Sequence, residues 1–208
     1  MLGAEANLVT SVEREAVSKF GTQVKSGGGH FEHVPDIKAA RTYITKIALA
    51  RNAKRIVLTD DSLSFEAYTE LAKNGPIEAT IYGRSSREDF YKAVRIAEIG
   101  VSSVDLAVAE TGTLIISTTD ESNRLVTALP EIHVAIVPRS KLVSTMKEAA
   151  EHISNAFRKG TEALTVSLIS ASSRTSDIAD IVILGVHGPK ELHVLLLDQD
   201  RLGGFEFG

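Results

Sequence analysis

Short runs of apolar residues alternate with helical patterns along most of this sequence, and this alternation restricts the possible folds more than any other feature. The segments 55–59, 79–82 and 132–137 are apolar almost throughout rather than alternately apolar and polar. Continuous apolar strands are typical of a sheet that is covered on both faces. Strands separated by helices favour a mainly parallel sheet. The sequence therefore predicts an α/β protein with three layers, α/β/α, around a mainly parallel sheet.

The helical patterns have recognisable limits. Helices are predicted over 36–52, 64–73, 86–98 and 140–158. Asp36 suits the first turn of its helix, where a carboxylate complements the helix dipole.

Two pairs of strands are too close in sequence for a crossover helix. The first pair is 105–109 with 113–117, and the second is 181–184 with 193–197. Short connections join antiparallel strands, so each pair is predicted to form antiparallel or sharply turned neighbours.

The first 29 residues are predicted to form a separate helical arm. Leu8, Val12, Ala16 and Phe20 recur at steps of four and share one helix face. Glycines 27–29 then predict a flexible connector. The domain division is therefore an arm over 1–29 and an α/β domain over 30–208. Two alternatives remain open, since the arm can dock on a partner or a second copy, as in a homo-oligomer, or pack on its own domain.

Composition excludes several kinds of chemistry. The chain has no cysteine, so it cannot hold a thiolate-ligated zinc ion or iron–sulfur cluster, and it has no cysteine nucleophile. Its net charge of -4 and the lack of a basic run argue against nucleic-acid binding. No dinucleotide fingerprint is present, so no cofactor is predicted for this chain.

The sequence lacks a signal-peptide pattern and an apolar segment of about 20 residues, so a cytoplasmic protein without a membrane span is expected.

The first candidate loop lies between the strands predicted at 105–109 and 113–117. Glu110 directly follows a buried strand and would serve as a general base or a nucleophile. Thr111 and Thr113 would donate hydrogen bonds, and Gly112 permits close approach of a ligand. The alternative is a tight turn in which Glu110 caps local amides.

The second candidate loop follows the strand at 164–169. Ser172, Ser173 and Thr175 offer hydroxyl groups, and Arg174 offers a guanidinium that can bind a carboxylate or phosphate. Asp177 belongs to the same candidate binding loop. The alternative is a capped loop in which Arg174 pairs with Asp177 or Asp180.

The third candidate loop contains a histidine between glycines. His187 would exchange protons near neutral pH, with Gly185 and Gly188 beside it, or it has only a structural role. His133 and His193 lie in strand patterns and are expected to be packed. The spacing of His187 and His193 is not a ligand signature, so no metal site is predicted.

Arg124 is a further candidate for anion binding. It follows the strand after the Glu110 turn and would reach the same cleft. The alternative is the start of a surface helix with local ion pairing.

Taken in order, these loops resemble a known family. The resemblance rests on residues 109–113, on Arg124 with 129–130, and on 173–178 and 185–189. These segments resemble the LUD domain and, more closely, the lactate utilization protein C family. The family more often has Gly-Pro where this chain has Ala171-Ser172. The resemblance implies a fold of the NagB/RpiA/CoA-transferase-like type, in agreement with the strand and helix pattern.

The same resemblance implies a role in L-lactate utilization. The chain would act with iron–sulfur partner proteins in a complex that oxidises L-lactate to pyruvate, either by binding a small carboxylate or by organising the complex. The alternative is an enzyme that uses Glu110, similar to a CoA transferase or a sugar-phosphate isomerase. Whether the chain is itself catalytic is left open.

Overall fold

The computed structural model describes residues 2–71, 77–118, 120–158, 165–172, 174–176, 182–184 and 188–198. The strands are β1 His30–Val34, β2 Arg55–Leu58, β3 Glu78–Ile81, β4 Ile99–Ser103, β5 Leu106–Val108, β6 Thr113–Thr118, β7 Ile132–Pro138, β8 Leu142–Val143, β9 Thr165–Ile169, β10 Arg174–Ser176, β11 Val182–Leu184 and β12 Glu191–Leu197. The helices are α1 Leu2–Ser26, α2 Ile37–Ala50, α3 Ser62–Leu71, α4 Arg87–Ile96, α5 Glu121–Ala128 and α6 Met146–Arg158.

A central sheet of six strands organises the molecule. Its order is β1-β12-β7-β4-β2-β3, and every neighbouring pair is parallel. A second sheet has the order β8-β5-β6-β9, and β10 pairs with β11 in a short ribbon. The predicted α/β fold with a mainly parallel sheet is confirmed. The antiparallel pairing predicted for 105–109 with 113–117 is also correct, because β5 and β6 form an antiparallel hairpin.

Both faces of the central sheet are covered, which explains its continuous apolar strands. On one face, α2 and α3 pack on the sheet through Ile44, Ile47 and Ala67. On the other face, α4 and α5 cover β2 and β4 through Phe90 and Val126. The rest of that second face, over β7 and β12, is covered by α1 and the second sheet. Helix α6 packs on the outer face of the second sheet.

Local side-chain chemistry accounts for where two helices begin. Asp36 caps α2, because its carboxylate accepts a hydrogen bond of 2.8 Å from the backbone N–H of Ala39. Ser86 caps α4 in the same way through the N–H of Asp89. Both caps satisfy N–H groups that have no partner within the helix.

Strand β12 lies in a different place from the one predicted. It was expected to be an antiparallel or sharply turned neighbour of 181–184, but it is inserted between β1 and β7 and runs parallel to both. β11 pairs instead with β10. β11 and β12 therefore belong to different sheets, which their short spacing in the sequence does not reveal.

The predicted helix 140–158 begins later than expected. Arg139–Lys141 form a 3₁₀ turn and Leu142–Val143 form β8, which pairs with β5. Helix α6 then starts at Met146. Pairing with β5 provides hydrogen-bond partners for the backbone of this segment. The helical pattern of the sequence does not indicate this pairing.

The glycines after α1 form a tight turn and not a flexible connector. The N–H of Gly27 donates to the carbonyl of Gln23, and the N–H of Gly29 donates to that of Val24. Gly28 has a φ of 79°, the left-handed conformation that ends many helices. Phe20 and Val24 are buried in the core, so the second half of α1 packs on its own domain. None of the helices that the structure describes has the length and apolar character needed to span a membrane.

Candidate functional site

The turn at Glu110 is held between the β5–β6 hairpin and helix α1. The N–H of Gly112 donates to the carbonyl of Val108 at 2.9 Å, and Gly112 has a φ of 69°. A Cβ atom on Gly112 would lie 2.9 Å from backbone atoms of Gln23 and Val24. Only glycine fits this position, both for its conformation and for the close approach of α1.

Hydroxyl groups connect this turn to the second candidate loop. The Oγ1 atoms of Thr111 and Thr113 lie 2.7 Å apart, and Oγ1 of Thr113 lies 2.8 Å from Oγ of Ser170. We name Thr111, Thr113 and Ser170 the hydroxyl cluster. It exists because β6 pairs with β9 in antiparallel orientation, which brings the start of one strand to the end of the other. Thr113 is buried, and Ser172, two residues beyond the cluster, is buried as well.

Glu110 itself caps a helix. Its Oε2 accepts a hydrogen bond of 3.1 Å from the N–H of Met146, the first residue of α6. Its backbone N–H donates to the carbonyl of Ser144. A carboxylate at a helix N-terminus is stabilised by the helix dipole. This geometry favours the capping interpretation of Glu110 over that of a poised nucleophile.

We expect Glu110→Ala to lower the free energy of unfolding by about 1 kcal/mol, because the N–H of Met146 loses its acceptor, although Thr145 still accepts from the N–H of Glu148. Glu110→Gln should cost less, since its amide oxygen still accepts a hydrogen bond. Urea unfolding of both variants measures these effects. Glu151→Ala, on the exposed side of α6, is the control. An unchanged stability of Glu110→Ala would contradict the capping role.

Other candidates are placed less completely. Four of them lie outside the described residues: Ser173, Asp177, Gly185 and His187. The backbones of Arg174 and Thr175 pair with Leu184 and Ile183 in the ribbon. Gly188 is half-buried in the segment before β12.

The structure does not bring Arg124 to the Glu110 turn. Thr113 begins β6, whereas Arg124 lies on α5, which starts beyond Thr118 at the other end of that strand. Six residues of strand span about 17 Å. Arg124 is therefore exposed at a separate place on the surface.

One arginine at the carboxyl end of β7 was missed by the sequence analysis. Arg139 donates to Asp198 at 3.0 Å and to Glu13 of α1 at 3.2 Å. His33 bonds to the same Asp198 at 2.7 Å, and despite the opposing effect of burial, this contact and Arg139 lower the pKa of that carboxyl group. Arg139 directly follows Pro138, the last residue of a central strand. Ligands of α/β proteins bind at the carboxyl ends of strands, so the position of Arg139 after a predicted strand could have identified it as a candidate.

A cavity of about 600 Å³ lies beside Arg139, of a size that suits a small ligand. Its lining residues are Glu13, Ala16, Val17, Arg139, Ser140, Leu142 and Ser144. The two carboxylates that already pair with Arg139 make this cavity unfavourable for a small anion.

Two histidines expected to be packed are buried. His133 is fully buried, with its Nε2 2.9 Å from Oγ of Ser102, and burial lowers its pKa to about 4. Its Nδ1 has no hydrogen-bond partner among the described residues. Burial also lowers the pKa of His193, although Glu191 opposes this change.

Comparison with known proteins places this geometry in a family. The family model described as the LUD domain matches residues 17–197. The chain belongs to the LUD domain family. The match begins within α1 and ends at the last residue of β12, so the LUD domain includes the buried second half of α1, both sheets and the hydroxyl cluster.

Several relatives of this LUD domain carry one name. "Lactate utilization protein C" from Shouchella clausii (strain KSM-K16) is 30% identical over 146 residues, which is 70% of this chain and 63% of that protein. The protein of the same name from Oceanobacillus iheyensis is 26% identical over 176 residues, 81% of this chain and 75% of that protein. The match to the Bacillus subtilis (strain 168) protein covers 60% of its length at 30% identity. The chain thus spans about 60 to 75% of these relatives.

A solved structure shares the architecture of this LUD domain. The crystal structure of a DUF162 family protein from Deinococcus radiodurans superposes with a TM-score of 0.65. The match covers 89% of this chain and 98% of that one at 19% identity, and it bears on the fold alone.

Proposed function

We propose that this LUD domain takes part in lactate utilization, as the member of an L-lactate-oxidising complex that holds no redox centre. The similarity to proteins named lactate utilization protein C, together with the family match over 17–197, is the observation that carries the proposal. The absence of cysteine agrees with this role, since thiolate-held iron–sulfur clusters would then belong to partner proteins. The oxidation of L-lactate to pyruvate would use those partners for electron transfer.

We further propose that the hydroxyl cluster and the segment after it bind the small carboxylate substrate or product. Hydroxyl groups donate hydrogen bonds to carboxylates, and a guanidinium adds charge and two parallel donors. Thr113 and Ser170 supply hydroxyls at the end of β9, and Arg174 follows four residues after Ser170. Arg139 is a weaker candidate for this role, because Glu13 and Asp198 already neutralise it.

Deletion of the gene in its source organism should abolish growth on L-lactate as sole carbon source and leave growth on glucose unchanged. The wild-type gene restores growth, and Thr113→Val and Arg174→Gln do not, because each removes one donor of the proposed carboxylate site. Arg95→Gln, an exposed arginine on α4, is the matched control and restores growth.

The outcomes separate the two parts of the proposal. Normal growth of the deletion strain on L-lactate would overturn the role in lactate utilization. Full rescue by both Thr113→Val and Arg174→Gln would overturn the carboxylate site and leave an organising role. Purification of the tagged chain from cells grown on L-lactate should also recover iron–sulfur proteins, identified by their iron content and visible absorbance.

A further inference from the structure

A cluster of metal-ligating side chains lies at the amino ends of β1 and β12, at a place that the proposed function does not use. His30 and His193 are register partners in these parallel strands, and their rings stack with centroids 4.3 Å apart. Glu191 lies two residues before His193 and therefore on the same face of β12. One ligand atom from each of the three residues lies within 4.8 Å of the other two.

One distance in the cluster already matches what a four-coordinate ion requires. Nε2 of His193 lies 3.3 Å from Oε2 of Glu191. Two ligands at about 2.0–2.1 Å from a tetrahedral Zn²⁺ ion are themselves about 3.3–3.4 Å apart. His193 is buried and held in place, whereas His30 is exposed. Because its side chain is exposed, His30 has room to rotate, and the site requires this rotation to bring its ring nitrogen closer to the other two ligands.

Neighbouring residues orient the two ligands of β12. The hydroxyl of Tyr43 lies 3.1 Å from Nδ1 of His193, which leaves Nε2 directed at Glu191. Such a partner on the second ring nitrogen is a usual feature of histidines that bind metals. One nitrogen of Arg51 lies 2.8 Å from both oxygens of Glu191, so Oε2 contacts Arg51 as well as His193. The positive charge of Arg51 opposes a cation, and we expect weaker binding than at a closed structural site.

We propose that His30, Glu191 and His193 form a binding site for a divalent transition metal, with Zn²⁺ as the best fit. Two imidazoles and one carboxylate are a ligand set that Zn²⁺ accepts, and three protein ligands leave a fourth position for water or an anion. The site differs from any pairing of His187 with His193, because β1 supplies the second histidine from more than 160 residues away. It goes beyond the lactate role and does not depend on it.

Calorimetric titration of the full chain with Zn²⁺, after removal of metals with a chelator, tests the proposal. We expect one equivalent to bind, and Co²⁺ to give the intense visible spectrum of a tetrahedral site. His30→Gln and Glu191→Gln should weaken binding about 100-fold or more. Tyr43→Phe should weaken it about 10-fold, because the ring of His193 loses its orienting partner.

An exposed histidine away from the site provides the control. His152→Gln removes an exposed histidine of α6 and should leave Zn²⁺ binding unchanged. Wild-type protein that binds no Zn²⁺, or a His30→Gln protein that binds it as tightly as wild type, would overturn the site. Because His30 is exposed, its replacement leaves the fold intact even if variants of the buried His193 do not fold.

Discussion

Acidification from about pH 7 to pH 4 is expected to lower the free energy of unfolding by about 3 kcal/mol through His133 alone. This side chain is fully buried in the central sheet, where burial lowers its pKa from 6.5 to about 4. Between these two values the unfolded chain binds a proton that the folded chain does not. Stability therefore falls as the pH drops below 6.5, and the loss is nearly complete at about pH 4.

Urea unfolding at several pH values measures this effect, with His133→Gln as the test variant. The variant cannot take up the proton, so its stability should depend less on pH by about 3 kcal/mol over the same interval. The pKa of His193 is shifted in the same direction, so part of the pH dependence remains in both proteins. The difference between the two curves reports the titration of His133, including its repulsion by His193. His152→Gln, which removes an exposed histidine, should follow the wild-type curve. Parallel curves for wild type and His133→Gln would contradict the burial of a neutral imidazole.

Local patterns in the sequence were sufficient to predict most of the helices and the class of fold. Asp36 and Ser86 mark helix starts because capping depends on residues three apart. Strands β2 and β7 were predicted because both of their faces are buried, whereas β4 was not predicted. Strand β1 was not predicted, because it lies at the edge of the sheet and only its residue Val34 is buried. Its sequence therefore lacks a continuous apolar run.

Long-range pairing accounts for most of what the sequence did not reveal. The insertion of β12 between β1 and β7 joins residues that are far apart in the chain, and no local pattern encodes it. The same pairing brings His30 beside His193. In contrast, the approach of Thr113 to Ser170 follows from two loops that the sequence already identified, although their antiparallel alignment through β6 and β9 was not predicted.

Helix α1 provides the second large expected effect, because its second half belongs to the core. Phe20 is fully buried and meets Phe31 of β1 edge to face, with ring centroids 5.7 Å apart. Val24 is buried one helical turn further on, in the same cluster as residues of β7 and β12. Truncation of a buried phenylalanine removes apolar burial and leaves a cavity. We expect Phe20→Ala to lower the free energy of unfolding by about 3–5 kcal/mol.

Phe157→Ala is the matched control, since this phenylalanine of α6 is 49% exposed and should cost far less than Phe20. The chain has no tryptophan, so unfolding is best followed by circular dichroism in the far ultraviolet. An arm that folds apart from the domain would give Phe20→Ala and Phe157→Ala similar, small effects. A single unfolding transition with a large loss for Phe20→Ala would show that α1 and the sheets unfold as one cooperative unit, because a separate arm would lose its helix without weakening the sheets.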